Sequence, residues 1–342
     1  KKKFKINKKK ILITGAAGFI GFHLIKSLNL YKIPLFGIDN LNDYYDINLK
    51  YARLKELGIS TNDNVKFISN QNRFIFFKID LSEKNKIVEI FNNNDFISII
   101  HLAAQAGVRY SIDFPDKYIE SNINGFFNIL EVAKQFKIKN LLYASSSSVY
   151  GNNSKMPFTE TEDTSLPESL YAATKKSNEL MACSYSKLYK FNTIGLRFFT
   201  VYGPWGRPDM SPFLFTEAIL LNKKINLFNY GIMERDFTYI DDIIEGIISI
   251  NNYYLNTYVE NSYEIYNIGN GNSVKLLDFI NEIEINLNLK ADFNYLPMQK
   301  GDVYKTYAST SKLRLITNYK PKINIQKGVM KFIIWYKNFY KI

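Results

Sequence analysis

A tyrosine and a lysine stand four positions apart, at Tyr171 and Lys175, shortly after four consecutive serines, Ser145 to Ser148. On a helix this spacing places both side chains on one face. A free phenol titrates near pKa ~10, but an adjacent ammonium favours the phenolate and lowers that pKa toward working pH. A serine hydroxyl can link such a tyrosine to a substrate alcohol. The set predicts proton abstraction from an alcohol coupled to hydride transfer, although such a pair also occurs by chance on amphipathic helices.

A glycine turn near the start of the chain predicts where a phosphate would bind. The apolar strand 11–14 is followed by Gly15-Ala16-Ala17-Gly18-Phe19-Ile20-Gly21 and then by a helix from His23 to about Leu30. Gly15 permits a tight turn, Gly18 lets the backbone approach a pyrophosphate, and Gly21 lets the helix pack on the strand. Because the spacing is one residue off the common Gly-x-Gly-x-x-Gly form, an ordinary turn between strand and helix remains the alternative.

Asp39 ends the second predicted strand, 34–38, and lies 18 positions after Gly21. A carboxylate there can accept hydrogen bonds from the adenosine ribose and would repel the extra phosphate of NADP. A glycine turn combined with this acid is more specific than either part, and it predicts NAD as the cofactor. Asp80 ends the third strand, 74–79, and is a candidate for the adenine edge.

Strands and helices alternate over the first 200 residues or so, which predicts an α/β fold with a Rossmann-type doubly wound parallel sheet. Further strands are expected at 97–101, 141–144 and 193–199, and helices at about 118–136 and 171–189. Ligands of such sheets bind beyond the carboxyl ends of the strands. Six candidate positions follow strand ends in this way: Gly15, Asp39, Asp80, Ala103, Ser146 and Thr200.

After Gly203 the alternation fades, which indicates a smaller mixed α/β lobe for the substrate. It is expected to contain a helix at 213–222, a strand at 225–228 and helices after Asp241 and Val274. Arg235 could hold a diphosphate, or it could form a surface salt bridge with a neighbouring acid. The predicted division is a basic tail at 1–10, an NAD-binding domain at 11–198 joined by 237–282, and a substrate lobe at 199–236 and 283–342.

Composition narrows the class of protein. The net charge of +12 over 342 residues is spread through a Lys-rich and Asn-rich chain, and no nucleic-acid-binding motif accompanies it. One cysteine, Cys183, excludes an internal disulfide, and two histidines, His23 and His101, cannot form a multi-histidine metal site. No apolar run is long enough for a membrane span, and the start lacks the apolar region of a signal peptide. We therefore expect a cytoplasmic protein without metal, nucleic-acid or membrane partners.

With these residues in view, the chain resembles the extended short-chain dehydrogenase/reductase family from about Ile11 to Tyr340. Within that family it is most similar to NAD-dependent nucleotide-sugar 4-epimerases that act on UDP-glucuronate. Four stretches carry the resemblance: Asp39 to Tyr45, Ala103 to Tyr110, Ser145 to Gly151 and Arg197 to Met210. The resemblance implies that Tyr171 is the base, Lys175 its partner and Ser146 the bridging hydroxyl.

The same resemblance implies two sets of binding residues. Those for NAD are Gly15, Gly18, Phe19, Ile20, Gly21, Asp39, Asn40, Asp80, Leu81, Leu102, Ala103 and Ala104, together with Tyr171 and Lys175. Those for the UDP-sugar are Ser146, Ser147, Ser148, Arg109, Thr200, Arg207, Arg235 and Asp302. Many hexose epimerases carry an arginine near the position of Gln299, so diphosphate contacts on that side depart from the family pattern.

The implied reaction interconverts UDP-glucuronate and UDP-galacturonate through a transient 4-keto sugar, for polysaccharide biosynthesis. Relatives that dehydrate or decarboxylate typically carry Asp or Glu just before Val-Tyr-Gly, where this chain has Ser147 and Ser148, which favours plain epimerisation. The alternatives are a 4-epimerase of UDP-glucose or UDP-N-acetylglucosamine and a non-catalytic NAD-sensing protein. Helices 118–136 and 171–189 are expected to pair with their copies in a homodimer.

Overall fold

The structure of the protein is a computed structural model that describes residues 10–31, 33–60, 65–69, 73–153, 155–257, 259, 262–299 and 301–342. The expected basic tail, 1–10, therefore lies outside the described residues except for Lys10, which begins the first strand. The described strands are β1 Lys10–Thr14, β2 Leu35–Asp39, β3 Lys66–Ile68, β4 Phe74–Lys78, β5 Phe96–His101, β6 Asn140–Ser146, β7 Asn192–Phe198, β8 Thr200–Tyr202, β9 Lys224–Leu227, β10 Glu234–Arg235, β11 Phe237–Tyr239, β12 Tyr263–Ile268, β13 Val274–Lys275 and β14 Asp292–Tyr295.

The main sheet of the described chain has eight strands in the order β12-β7-β6-β5-β1-β2-β4-β3. All neighbours are parallel except the edge strand β3, which is antiparallel to β4. Every residue of β2 and of β7 is buried, as expected when helices cover both faces of a parallel sheet. The expected doubly wound α/β fold is confirmed. The strand order reverses at β1, which has β2 on one side and β5 on the other, and a crevice forms at such a point.

Helices cover the sheet and fill the second lobe. They are α1 Phe19–Asn29, α2 Ile47–Glu56, α3 Lys84–Asn92, α4 Tyr110–Asp113, α5 Pro115–Tyr118, α6 Gly125–Gln135, α7 Leu170–Tyr189, α8 Ser211–Leu220, α9 Ile240–Asn256, α10 Leu276–Leu287, α11 Ser311–Thr317 and α12 Ile325–Tyr340. Helices α1 and α9 pack together and share one apolar core, whereas α3 and α6 belong to a second one. The glycine turn therefore leads into a helix that is held by apolar burial.

The smaller lobe combines three two-stranded sheets with helices α8, α10 and α12. Strands β8 and β11 are parallel, β9 and β14 are parallel, and β10 and β13 are antiparallel. Aromatic packing joins the helices of this lobe, with the Phe213 ring 5.1 Å from that of Phe332 and 5.7 Å from that of Trp335. A smaller mixed α/β lobe is thus present, as expected from the sequence. The division of the chain into domains stays a prediction.

Several elements of the structure differ from the sequence-based expectations. Helix α1 begins at Phe19 rather than His23, so the last glycine of the turn is already helical. The helix expected at 118–136 consists of α5 and α6 joined by a π-helical turn at Ile119–Asn124. Strand β12 extends the main sheet beside β7, and α12 closes the second lobe, although neither was expected. The helix expected at 171–189 is confirmed as α7.

Candidate active site

A cavity of about 370 Å³ opens at the carboxyl edge of the main sheet, where the strand order reverses. The expected site residues that line it are Gly15, Gly18, Phe19, Ile20, Gly21, Asp39, Asn40, Asp80, Leu81, Leu102, Ala103, Ala104, Ser146, Ser147, Ser148, Tyr171, Lys175, Thr200 and Arg207. Arg109, Arg235 and Asp302 do not line this cavity. They form a separate group, which is described below.

The glycine turn has the shape that a phosphate cradle requires. Gly15 has a φ of +70°, and a Cβ there would lie 2.8 Å from the backbone nitrogen of Ala103. Gly18 is the N-cap of α1 in an extended conformation and, being glycine, provides no side-chain cap for the first turn of the helix. The N-terminal amides of α1 can therefore bind an anionic group of a ligand in the cavity.

Asp39 is both a cavity residue and a structural brace. Its carboxylate accepts hydrogen bonds from the backbone nitrogens of Ala17 at 3.1 Å and Leu41 at 2.9 Å. Lys50, which the sequence analysis did not single out, lines the same end of the cavity, with its Nζ 3.9 Å from Asp39 Oδ1. Burial lowers the pKa of Lys50. Lys50 therefore partly balances the carboxylate charge that a ribose at this end would meet. Each carboxylate oxygen can still accept a further hydrogen bond from a ribose hydroxyl.

Tyr171 and Ser146 lie together at the other end of the cavity. Burial raises the pKa of the Tyr171 phenol, while the hydrogen bond with Ser146 and the charge of Arg207 lower it. The net direction is upward, so the expectation that Lys175 brings this pKa down is wrong for this structure. The Lys175 ammonium instead donates to the carbonyl oxygen of Ala144 at 2.9 Å. Burial also lowers the pKa of Lys175 to about 8.

Hydroxyl groups surround the base. Ser146 Oγ accepts from the Ser148 amide at 3.1 Å and donates to the Ser148 hydroxyl at 3.1 Å, which fixes the start of the turn at 147–150. Thr200 reaches the cavity from β8, where its amide donates to the carbonyl oxygen of Asp236. The Ser145 hydroxyl instead donates a hydrogen bond to Glu179 Oε1 at 2.7 Å. Four hydroxyl-bearing side chains of the predicted site therefore converge on one wall: Ser146, Ser147, Ser148 and Thr200.

Glu179 and Arg197 form a buried ion pair beneath this wall. The guanidinium donates to both carboxylate oxygens at 2.8 Å, and the two side chains are 0% and 3% exposed. Since Glu179 lies on α7 and Arg197 on β7, the pair joins the helix of Tyr171 to the sheet beside the serines. This bidentate geometry fixes the relative position of base and serine loop.

The remaining predicted residues gather outside the cavity. Asp302 accepts from Arg235 Nη2 at 2.8 Å and lies 3.9 Å from Arg109 Nη2. The Arg109 guanidinium stacks 4.9 Å above the ring of Phe228, a residue that the sequence analysis did not single out. Two arginines and an aromatic ring next to one carboxylate are suited to a diphosphate and a planar base.

Both histidines have structural surroundings. Burial lowers the pKa of His101 to about 3, and its Nδ1 shares a hydrogen bond with Thr14 Oγ1 at 2.8 Å. Burial also lowers the pKa of His23 to about 4, and its Nε2 pairs with the carbonyl oxygen of Pro204 at 2.9 Å. Within the described ranges there is no cluster of three His, Cys, Asp or Glu side chains able to hold a metal ion. No described helix is long and apolar enough to cross a membrane.

A sequence model described as the NAD dependent epimerase/dehydratase family matches residues 11–269. The chain belongs to this family. It is 47% identical over 344 residues to Protein CapI of Staphylococcus aureus, covering 97% of this chain and 99% of that protein. It is 41% identical over 345 residues to a probable UDP-glucuronate 4-epimerase of Rhizobium meliloti, covering 96% and 97% of the two chains.

Solved structures of the same family share the whole architecture. The UDP-glucuronic acid 4-epimerase from Bacillus cereus, in complex with UDP-glucuronic acid and NAD, matches with a TM-score of 0.84 and 32% identity. The match covers 97% of this chain and 100% of that one. That relative therefore binds NAD and a nucleotide sugar on the same architecture as this chain.

Proposed function

We propose that this protein is an NAD-dependent 4-epimerase that interconverts UDP-glucuronate and UDP-galacturonate through a transient 4-keto sugar. The observation that carries the proposal is the wall of hydroxyls beside Tyr171. Among the described residues that line the cavity, the only acids are Asp39 and Asp80, which follow β2 and β4 and lie away from the serines. A sugar carboxylate can be held at this wall without a competing charge.

The cavity residues fit NAD. The uncapped amides of α1 suit its diphosphate, and Asp39 and Lys50 suit its adenosine ribose. We assign Asn40, Asp80 and Leu81 to the adenine side and Leu102, Ala103 and Ala104 to the floor that leaves room for the cofactor. These residues would hold NAD, which would supply a hydride acceptor for C4 of the sugar and a hydride donor for the return to the other face.

The protein's own groups supply the proton chemistry. Ser146 links the sugar 4-hydroxyl to Tyr171, and Tyr171 takes the proton as the hydride leaves. Because burial raises the pKa of Tyr171, positive charge nearby is needed to favour the phenolate, and Arg207 provides it from inside the cavity, which Lys175 also lines. On the return step Tyr171 gives the proton back to the 4-oxygen.

The hydroxyl wall also protects the 4-keto intermediate. The 4-keto form of a glucuronate is a β-keto acid, which loses CO2 when its carboxylate bond aligns with the carbonyl π system. Ser147, Ser148 and Thr200 hold the carboxylate by neutral donors and offer no acid to drive that loss. Beyond the cavity, Arg235, Arg109 and Asp302 receive the diphosphate and nucleoside of the UDP-sugar, with Phe228 under the base.

A homodimer fits the surface of the helices. Apolar side chains remain exposed on the π-helical turn, α6 and α7, including Ile119 at 44%, Phe127 at 44% and Leu180 at 61%. Pairing these helices with their copies would bury this surface. A dimeric mass by light scattering at micromolar concentration supports the proposal, and a monomeric mass counts against it.

With one cysteine in the chain, we assign the enzyme to the reducing cytoplasm. We further assign its product to polysaccharide biosynthesis.

The direct test is product analysis by NMR after incubation with UDP-glucuronate. Formation of UDP-galacturonate without added NAD, and much slower turnover of UDP-glucose, is the expected result. Turnover of UDP-glucose or UDP-N-acetylglucosamine at the faster rate would instead favour a neutral hexose epimerase. No turnover of any UDP-sugar would favour a non-catalytic NAD-binding protein.

Thr200→Val tests the carboxylate assignment, because valine keeps the shape and removes the hydroxyl. Losing one charge-assisted hydrogen bond of ~1.5–3 kcal/mol should lower kcat/KM for UDP-glucuronate by about tenfold to a hundredfold. The value for UDP-glucose should change much less, and some intermediate should escape as a pentose with CO2. An unchanged ratio of the two substrates, with no CO2 released, contradicts the assignment.

A further inference from the structure

Arg207 reaches the cavity from the loop that connects β8 to α8, and its guanidinium is engaged by Asp209. Arg207 Nε donates to Asp209 Oδ1 at 3.0 Å, and Nη2 donates to Asp209 Oδ2. Two parallel hydrogen bonds to one carboxylate fix the plane of the guanidinium as well as its position. Arg207 retains further donor hydrogens on Nη1 and Nη2 for a ligand.

Tyr44, which also lines the cavity, contacts both members of this pair. Its hydroxyl donates to Asp209 Oδ2 at 2.9 Å, and the Arg207 guanidinium lies 5.8 Å from the centre of its ring. The Tyr44 ring packs edge-on against Tyr110 at 4.6 Å, and a Cβ at Gly107 would lie 2.7 Å from the Tyr44 hydroxyl. Tyr44 is therefore itself fixed, and it connects the segment after β2 to the loop of Arg207.

The same loop is anchored a second time, by Arg53 from α2. This guanidinium donates to the carbonyl oxygens of Trp205 at 2.7 and 3.1 Å, Gly206 at 2.9 Å and Ala17 at 2.9 Å. Arg53 is 0% exposed, and Trp205 has a φ of +61°, a conformation that side-chain-bearing residues rarely adopt. The backbone on the N-terminal side of Arg207 is thus tied directly to the glycine turn.

Resting on the function proposed above, we propose that Asp209, held by Tyr44, is a positioning residue that fixes Arg207 where its charge faces the Tyr171 phenol. Asp209 itself need not contact the substrate. The groups around Tyr171 are Ser146, Arg207, the Tyr118 ring at 6.1 Å and Lys175 one turn along the helix. Of the two cations in this set, Arg207 is the one whose position depends on a loop, and Asp209 with Tyr44 removes that freedom.

A double-mutant cycle on kcat/KM for UDP-glucuronate tests this role. Asp209→Asn and Tyr44→Phe should each lower kcat/KM, by about tenfold and about threefold, because each removes a hydrogen bond of a charged network. In an Arg207→Gln background neither change should lower it further, since both act through Arg207. Single-turnover measurements at high enzyme concentration supply this corner of the cycle where Arg207→Gln turns over slowly. Losses that add in full overturn the proposal.

The pH profile supplies a second readout. Tyr44→Phe alters no charge, so a displaced Arg207 should move the acid limb of kcat to higher pH through weaker support of the Tyr171 phenolate. An unmoved limb in an active Tyr44→Phe enzyme contradicts the proposal. Asp95→Asn, at an exposed acid before β5, is the matched control and should leave kcat/KM unchanged. Absence of UDP-glucuronate turnover in the wild type would overturn the proposed function instead, so the two failures are distinguishable.

Discussion

Lys175 should cost the protein stability, and removing its charge should make the fold more stable. The side chain is 2% exposed, and burial lowers its pKa from 10.5 to about 8. At about 1.36 kcal/mol per pH unit, this difference means that the buried ammonium opposes folding by ~3 kcal/mol near neutral pH. Lys175→Met keeps the length of the chain but leaves the Ala144 carbonyl oxygen without its donor, at a cost of ~1–2 kcal/mol. We expect a net gain of ~1–2 kcal/mol in the free energy of unfolding at pH 7.

The sign of the pH dependence follows from the lowered pKa. Between pH 8 and 10.5 the unfolded state binds more protons at this lysine than the folded state, so wild-type stability from this group rises with pH. The advantage of Lys175→Met should therefore shrink as pH rises through that window. Urea denaturation of cofactor-free protein at pH 7, 8, 9 and 10 measures it, while epimerase activity should be lost at every pH.

Lys187→Met is the matched control, because Lys187 lies exposed in the last turn of the same helix. Its effect on the free energy of unfolding should be small and should not vary between pH 7 and 10. If Lys175→Met destabilises the protein by the same amount at every pH, burial does not depress the pKa of this lysine. The electrostatic account of the site would then be refuted.

Two further substitutions and one comparison of ligands test other parts of the site. Tyr171→Phe should lower kcat by ~10²–10⁴-fold while NAD stays bound, and near wild-type turnover would exclude Tyr171 as the base. Glu179→Gln leaves the buried Arg197 charge uncompensated and should cost ~3–5 kcal/mol in urea denaturation, so a change below about 1 kcal/mol would contradict the structural role of the pair. Calorimetry should show tighter binding of NAD than of NADP because Asp39 opposes an added phosphate, and equal affinities would count against that role.

The sequence predicted the sheet and one edge of the site because both depend on local patterns. Apolar runs mark buried parallel strands, and glycines, serines and an acid at their ends mark a ligand edge. Strand β12 escaped prediction because its alternating polar residues do not read as a buried strand, and only its pairing with β7 places it in the sheet. The π-helical turn inside the helix expected at 118–136 has no local signature either.

The site residues that the sequence did not predict are brought to the site only by tertiary contacts. Lys50 and Arg53 lie on α2, and no fixed spacing relates them to the glycine turn that they approach. Asp209 reads as a loop acid until its pairing with Arg207 and Tyr44 is seen. The direction of the Tyr171 pKa was wrong because spacing along a helix reports neighbouring charge and carries no information on burial, which dominates here.

The buried guanidinium of Arg53 limits which side of the cleft can open. Its hydrogen-bond partners are the Tyr45 hydroxyl and carbonyl oxygens from the glycine turn and from the loop that leads to the sugar end. Opening the cleft along that side would therefore leave a full charge buried without these partners. The opposite rim, where Arg109 and Asp302 meet 3.9 Å apart with Arg109 largely in solvent, can part at little cost. We therefore expect the nucleotide sugar to bind and leave on the side of Arg109 and Asp302. The dinucleotide should stay bound through many turnovers.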